Sequence, residues 1–80
     1  MGKHKKKKRI TFRIHTEMKK YRWLVKDMAT KLEKSRHTVY YQLNGKHMPD
    51  YIKVQIPYTE AFNEITGGNF TPEELFSINK

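Results

Sequence analysis

The sequence predicts a mainly α-helical fold, a single small domain of four to five short helices, two of which form a helix-turn-helix. Apolar residues recur at the spacing of one helical face at Met28 and Leu32, and again at Val39 and Leu43. Between these pairs stands Ser35, a residue type that caps the start of a helix. Eighty residues without cysteine allow one small core, stabilised by packing alone.

The first nine residues form a basic segment that should not fold on its own. Residues 2–9 contain no apolar side chain and no acid, and their charges repel one another. We therefore expect residues 1–9 to be a disordered basic arm and residues 10–80 to form the single domain. The basic residues of the arm are Lys3, Lys5, Lys6, Lys7, Lys8 and Arg9.

The next segment, residues 10–14 (ITFRI), alternates apolar and polar side chains, which predicts a β-strand. Thr16 is then predicted to cap a helix that begins at about Glu17 and runs into the twenties. The alternative is a break near residues 22–25, whose position the pattern does not fix. The second helix of the helix-turn-helix spans about residues 35–44, because Asn44-Gly45 is a typical helix stop.

Residues 51–56 alternate again, with Ile52, Val54 and Ile56 on one side. This pattern predicts a second strand, which would pair with residues 10–14 in a minor two-stranded β element. The alternative is a helix from Pro49 onward. Pro57 argues against an unbroken helix, because proline lacks a backbone N–H.

Two further helices are predicted after Pro57, which suits a first helical position. The first has an apolar stripe and ends at Gly67-Gly68. The second opens at Thr71-Pro72-Glu73-Glu74, whose spacing is that of a capping box. The predicted core comprises Trp23, Leu24, Met28, Leu32, Val39, Leu43, Tyr58, Ala61, Phe62, Ile65, Leu75 and Phe76.

The net charge of +9 is unevenly distributed along the chain. The arm contains six basic residues, and residues 10–55 contain ten basic and four acidic residues. Residues 56–80, in contrast, contain one lysine and four glutamates. A basic excess around the second helix of a helix-turn-helix is typical of proteins that bind a nucleic-acid duplex.

The segment MATKLEKSRHTVYYQLNG, residues 28–45, resembles the Cro and repressor-type helix-turn-helix regulators of phages and mobile elements. Ala29 occupies the small position of the first helix, and Ser35 opens the recognition helix. The tail NEITGGNFTPEELF, residues 63–76, is also similar to the end of many small Cro-like proteins.

Two positions depart from the family pattern. The family usually has glycine where this chain has Glu33, because the residue in the turn adopts a left-handed backbone conformation. That conformation should cost Glu33 about 1 kcal/mol. Lys34 follows, where the family usually has an aliphatic side chain that contacts the core.

The resemblance implies sequence-specific binding of double-stranded DNA by a transcriptional regulator, in most such cases a repressor, with the recognition helix in the major groove. The alternative for the two tyrosines of this helix is that one packs in the core. The residues predicted to read bases are Arg36, His37, Tyr40, Tyr41 and Asn44.

A second set of residues is predicted to contact phosphates, which positions a protein without reading sequence. For each lysine the alternative is a merely solvated charge, and for Ser35 it is helix capping alone. The arm is predicted to enter the minor groove or follow phosphates, or else to act as a nonspecific basic tail. The predicted phosphate contacts of the domain are Ser35, Lys26, Thr30, Lys31, Lys34, Lys46 and Lys53.

Because one recognition helix reads few base pairs, we expect a homodimer on an inverted repeat with half-sites about 34 Å apart. The strand segments or the acidic C-terminal helices would form its interface. Two alternatives remain: an antitoxin-type autoregulator that holds a protein partner on residues 57–76, or a basic RNA-binding protein.

Several classes of function are not predicted. The sequence offers no paired nucleophile and base, and its histidines lack companions at metal-ligand spacing, so we expect neither an enzyme nor a metal or cofactor site. No apolar run approaches the length of a membrane span, and the basic N-terminus has no apolar segment of the kind a secretory signal needs. We expect a cytoplasmic, nucleoid-associated protein.

Overall fold

The computed structural model describes residues 10–21 and 24–78, and within them the fold is mainly α-helical, as predicted. A π-helical segment leads directly into the fourth α-helix. The elements in chain order are α1 (Arg13–Lys19), α2 (Leu24–Leu32), α3 (Arg36–Gln42), the π-helical segment (Tyr51–Gln55), α4 (Ile56–Thr66) and α5 (Pro72–Leu75).

The strand predicted at residues 10–14 is wrong, because α1 begins at Arg13. The alternating burial is real, since Phe12 and Ile14 are fully buried while their neighbours Thr11 and Arg13 are exposed. The alternation arises because the backbone is extended at Phe12 and the first turn of α1 follows directly. Phe12 makes one isolated antiparallel bridge to Ile78. No strand occurs in the described parts of the chain, so the predicted two-stranded element is absent from them.

The start of α1 is capped by a residue that the sequence did not suggest. Thr16, the predicted cap, lies within the helix, whereas the N-cap position is Phe12. The Phe12 N–H donates to Nδ1 of His15 at 2.9 Å, which satisfies one of the amides that a helix start leaves unpaired. The helix predicted from about Glu17 into the twenties is wrong at both ends, because α1 begins at Arg13 and ends at Lys19. α2 begins at Leu24, so Leu24 and Val25, placed near a break, are helical. Trp23, predicted to be in the core, lies outside the described residues.

The strand predicted at residues 51–56 is also wrong. The amides of Gln55 and Ile56 donate to the carbonyl oxygens of Asp50 and Tyr51, five residues earlier, which defines a π-helical turn. Asp50 caps this turn by accepting from the Lys53 N–H at 2.7 Å. Pro57 is the second residue of α4, where the hydrogen-bond register changes from π to α and a missing N–H is tolerated.

The C-terminal elements follow the prediction closely. Gly67 ends α4 in a left-handed conformation with φ of 76°, and its N–H donates to the carbonyl oxygen of Asn63 at 2.8 Å. Thr71 and Glu74 form the predicted capping box, with Thr71 Oγ1 accepting from the Glu74 N–H and Glu74 Oε1 accepting from the Thr71 N–H. The Asn63 amide holds the intervening loop through two hydrogen bonds to the backbone of Phe70.

One core unites these helices. α4 packs against α2 and α5, α2 also packs against α3, and α5 closes over α1. Leu32 and Ile65, predicted to be core residues, are half-buried and pack against its edge. The buried apolar residues are Phe12, Ile14, Leu24, Met28, Ala29, Val39, Leu43, Val54, Tyr58, Ala61, Phe62, Leu75 and Phe76. α3 therefore rests on α2 with one side sealed.

Candidate nucleic-acid interface

The turn between α2 and α3 fixes the direction of α3. Glu33 has φ of +59°, the left-handed conformation expected there, and its N–H donates to the carbonyl oxygen of Thr30. The Lys34 N–H donates to the carbonyl oxygen of Ala29 at 2.9 Å. Ser35 caps α3 as predicted, because its Oγ accepts from the Thr38 N–H at 3.0 Å. The turn is therefore closed by hydrogen bonds on both sides.

Four of the five predicted base-reading residues lie on the open side of α3. Arg36, His37, Tyr40 and Tyr41 are all exposed, at spacings that place them on neighbouring rows of the helix surface. Tyr40 and Tyr41 are 62% and 65% exposed, so neither packs in the core. Val39, between them and the core, is fully buried. The exposed row combines a guanidinium, an imidazole and two phenols, all capable of hydrogen bonding. We call these four residues the α3 face.

Asn44, the fifth predicted base-reading residue, lies beyond the end of α3, which stops at Gln42. It is half-buried, and its Oδ1 accepts from the Lys46 N–H at 2.7 Å. This bond shapes the turn that leads away from the helix. The structure thus gives Asn44 a role in the backbone turn and separates it from the α3 face.

The predicted phosphate contacts fall into two groups. Lys26, Lys34, Lys46 and Lys53 are exposed and make no ion pair with a described acidic residue. Lys31, in contrast, forms a salt bridge with Glu64 of α4, so part of its charge is compensated.

The two predicted hydroxyl contacts are already engaged in local hydrogen bonds. Thr30 Oγ1 donates to the carbonyl oxygen of Lys26 at 3.1 Å, within α2. Ser35 Oγ donates to Thr38 Oγ1 at 3.0 Å in addition to its capping bond. Each hydroxyl has its single donor occupied, so a phosphate would have to displace these bonds or approach another group.

The fold brings together side chains that are distant in sequence beside the end of α3. Lys34 and Tyr41 share the wall of a recess of about 360 Å³ with Lys53 from the π-helical segment. Tyr58, which the sequence placed in an apolar stripe, also lines this recess. Among residues 10–21 and 24–78 its buried hydroxyl has no hydrogen-bond partner, and burial raises the pKa of Tyr58 above its ordinary value.

His15 is the residue near α3 whose importance sequence reasoning missed. Its Nε2 lies 2.6 Å from the carbonyl oxygen of Leu43, the C-cap residue of α3. Close by, the Ile10 N–H donates to the carbonyl oxygen of Gly45 at 2.8 Å. The start of the domain is thereby attached to the end of α3. No pattern in the sequence links residue 15 to residue 43, so only the tertiary fold reveals this contact.

The basic arm, residues 1–9, lies outside the described residues. Across residues 10–21 and 24–78, no group of three His, Asp or Glu side chains is placed to hold a metal ion. In the same part of the chain, no helix has the length and apolar character needed to cross a bilayer.

Comparison with known proteins adds no relative to this description. No family model matches the chain, and no curated protein or solved structure is significantly similar to it.

Proposed function

We propose that this protein is a Cro/repressor-like transcriptional regulator that binds double-stranded DNA with α3 in the major groove. The observation that carries the proposal is the α3 face, where Arg36, His37, Tyr40 and Tyr41 all lie exposed on a helix whose other side is sealed by Val39. A rigid helix with an exposed hydrogen-bonding row is the kind of element that reads base edges.

The dimensions of α3 suit this role. An α-helix with its side chains is about 10–12 Å in diameter, so the major groove, about 12 Å wide, admits it. The seven residues of α3 would extend about 10 Å along the groove. Arg36 is its first residue, and in helix-turn-helix proteins the N-terminal residues of this helix contact the bases. A bidentate bond from Arg36 to guanine would discriminate against the wrong base by about 1–3 kcal/mol.

The surrounding charges support binding to a polyanion. Lys26, Lys34 and Lys46 stand exposed on the elements next to α3 and would contact phosphates. Lys31 would contribute less, since Glu64 already neutralises part of its charge.

Selection of bound sites from random duplexes at a fixed salt concentration tests the proposal. We expect enrichment of one short motif, arranged as an inverted repeat if two copies bind. Arg36→Ala should weaken binding to that motif by about 1–3 kcal/mol and relax the preference at one base pair. Lys46→Ala is the matched control, because loss of a phosphate contact should weaken binding to all duplexes alike.

The outcome that contradicts sequence-specific binding is equally clear. If no motif is enriched, α3 does not read bases. If Arg36→Ala lowers the affinity for every duplex by the same factor, Arg36 contacts DNA without reading a base.

A second candidate is binding of single-stranded nucleic acid, which is favoured by one observation. Tyr40 and Tyr41 are adjacent and mostly exposed, and exposed aromatic rings beside lysines can stack unpaired bases. Competition between duplex DNA and single-stranded RNA distinguishes the two candidates. Preference for the single strand, lost in Tyr41→Ala, would favour the second.

A further inference from the structure

A group of exposed apolar side chains lies on the π-helical segment and just before it. Ile52 is 74% exposed, and Tyr51 and Met48 are 45% and 44% exposed. Three large apolar side chains are thus exposed within five residues, and the largest apolar patch on a small protein often contacts another molecule. We call Met48, Tyr51 and Ile52 the Ile52 patch.

The π-helical turn explains why Ile52 is so exposed. Successive residues of such a turn are separated by roughly 80° around its axis, since each hydrogen bond spans five residues. Val54 and Gln55 face the interior and are buried. Ile52 therefore lies on the solvent-facing side of the turn, with Tyr51 on one side and Lys53 on the other.

The turn that presents Ile52 is held firmly. Gln55 Nε2 donates to the carbonyl oxygen of Pro49 at 3.0 Å, and Asp50 caps the first turn. The patch thus lies on a segment whose backbone is already held by hydrogen bonds. Less conformational entropy is therefore lost when a partner binds.

The charges beside the patch are of opposite sign. The Tyr51 hydroxyl donates to Oε2 of Glu73 at 3.0 Å, a bond that raises the pKa of Tyr51 and holds a carboxylate next to the ring. On the other side of Ile52, Lys53 is exposed and makes no ion pair with a described residue. An apolar centre therefore has an acid on one flank and a base on the other.

We propose that the Ile52 patch binds a second copy of this chain about a two-fold axis that passes near Ile52. A two-fold interface requires a surface that complements itself, with residue i facing residue j in both directions. Ile52 would pack against Ile52 of the partner subunit, and Lys53 would face the partner's Glu73. This arrangement replaces the strand pairing expected from the sequence, because the described residues form no strand.

The association should be weak in free solution. The patch exposes a few hundred Å² at most, whereas stable interfaces bury about 1,200 Å² or more in total. The inference rests on the proposed function in one respect: two half-sites on one duplex would hold two copies together and raise their effective concentration.

Charge reversal tests the pairing directly. In Lys53→Glu alone and in Glu73→Lys alone, like charges would meet at both ends of the interface, and self-association should weaken at least about tenfold. In an equimolar mixture of the two variants both charge pairs are restored, so mixed dimers should form. Sedimentation velocity at low salt and high protein concentration measures all three samples, and circular dichroism verifies that each variant keeps its helices.

Cysteine trapping supplies an independent test, because the chain contains no cysteine. Ile52→Cys should form a disulfide-linked dimer on mild oxidation at least about tenfold faster than Ile78→Cys. Ile78 is the matched control, since it is also isoleucine and half-exposed. If the charge-reversed mixture associates no better than its components, or if the two cysteine variants oxidise at the same rate, the proposed interface is wrong.

Both tests are carried out without DNA, so they separate this inference from the proposed function. A failure of the interface leaves binding to a single half-site unaffected. Conversely, rapid trapping at position 52 in a protein that binds no duplex would support the interface and count against the regulator.

Discussion

His15 and Leu43, 28 residues apart in sequence, are joined by a hydrogen bond of 2.6 Å between Nε2 and the Leu43 carbonyl oxygen. The direction of the bond follows from the other nitrogen, because Nδ1 accepts from the Phe12 N–H and a neutral ring carries only one N–H. One imidazole thus caps the start of α1 and satisfies a carbonyl group at the end of α3. The bond therefore attaches α1 to the C-terminal end of the helix that carries the α3 face.

We therefore expect His15→Ala to lower the free energy of unfolding by about 1–3 kcal/mol, because it leaves the Phe12 amide and the Leu43 carbonyl group without their partner. Urea denaturation measures the change. His37→Ala is the control, since His37 is exposed on α3 and its loss should change stability by less than about 0.5 kcal/mol. Equal effects of the two substitutions would show that the His15 bridge contributes nothing to stability.

Glu33→Gly should stabilise the protein. Among residues 10–21 and 24–78, Glu33 is the one non-glycine residue with positive φ, and glycine adopts that conformation without strain. We expect a gain of about 1 kcal/mol, which would raise the melting temperature by roughly 4–8 °C in a domain of this size. Lys34→Gly should lower it, because Lys34 does not have a positive φ. A lower melting temperature in both variants would contradict the strain argument.

Glu17 should make stability depend on acidity. Its carboxylate accepts from Lys20 at 3.1 Å and from Arg13 at 3.2 Å, and these bonds, chiefly that from Lys20, outweigh burial and lower the pKa of Glu17 below the ordinary 4.5. The stabilisation is therefore complete above the unfolded-state pKa, and it is lost as the pH falls through the lower folded-state pKa.

Glu17→Gln is expected to cost roughly 0.5–1 kcal/mol at neutral pH, since both cationic partners are half-exposed. Near pH 2 the difference between variant and parent should shrink, because the parent's carboxyl is then protonated. Unfolding curves at a series of pH values measure it. A difference that stays constant across the series would assign the effect to packing instead of charge.

Removal of residues 2–9 should change the salt dependence of DNA binding more than its sequence preference. The arm carries six basic residues, so its deletion should reduce the slope of log affinity against log salt concentration by as much as about 5. Titrations of the full chain and the deletion at several salt concentrations give both slopes. Loss of preference with an unchanged slope would instead make the arm a reader of bases.

Local sequence signals predicted the start of α3, the end of α4 and the start of α5, whereas the cap predicted at Thr16 was wrong. Ser35, Gly67 and Thr71 act on the backbone within a few residues of themselves, so their roles can be read without knowledge of the fold. The left-handed conformation of Glu33, in contrast, follows from the resemblance to the Cro and repressor-type family, which usually has glycine at this position.

The two strand predictions failed because an alternating pattern over five or six residues does not determine the backbone. In residues 10–14 the alternation spans an extended approach and the first turn of α1. In residues 51–56 it conflicts with the burial, since Ile52 is exposed while Gln55 is buried. Pro57 argued against a continuous helix. It lies in the first turn of α4, directly after the π-helical segment, where its missing N–H is tolerated.

The candidate site was predictable on α3 and less so around it. Arg36 and Tyr40 were placed correctly because helical periodicity separates them from Val39. The partner of Lys31 could not be foreseen, since Glu64 lies on α4 and meets it only through tertiary packing. The His15 bridge to Leu43 escaped for the same reason.

The Ile10 amide bonded to the Gly45 carbonyl oxygen fixes the point from which the preceding nine residues extend. An extended chain covers at most about 3.3–3.6 Å per residue, so these nine residues can reach roughly 30 Å from the end of α3, a little under the 34 Å of one turn of the duplex. If α3 lies in the major groove as proposed, any DNA contact made by the lysines of residues 3–8 is therefore limited to the turn of the duplex next to α3.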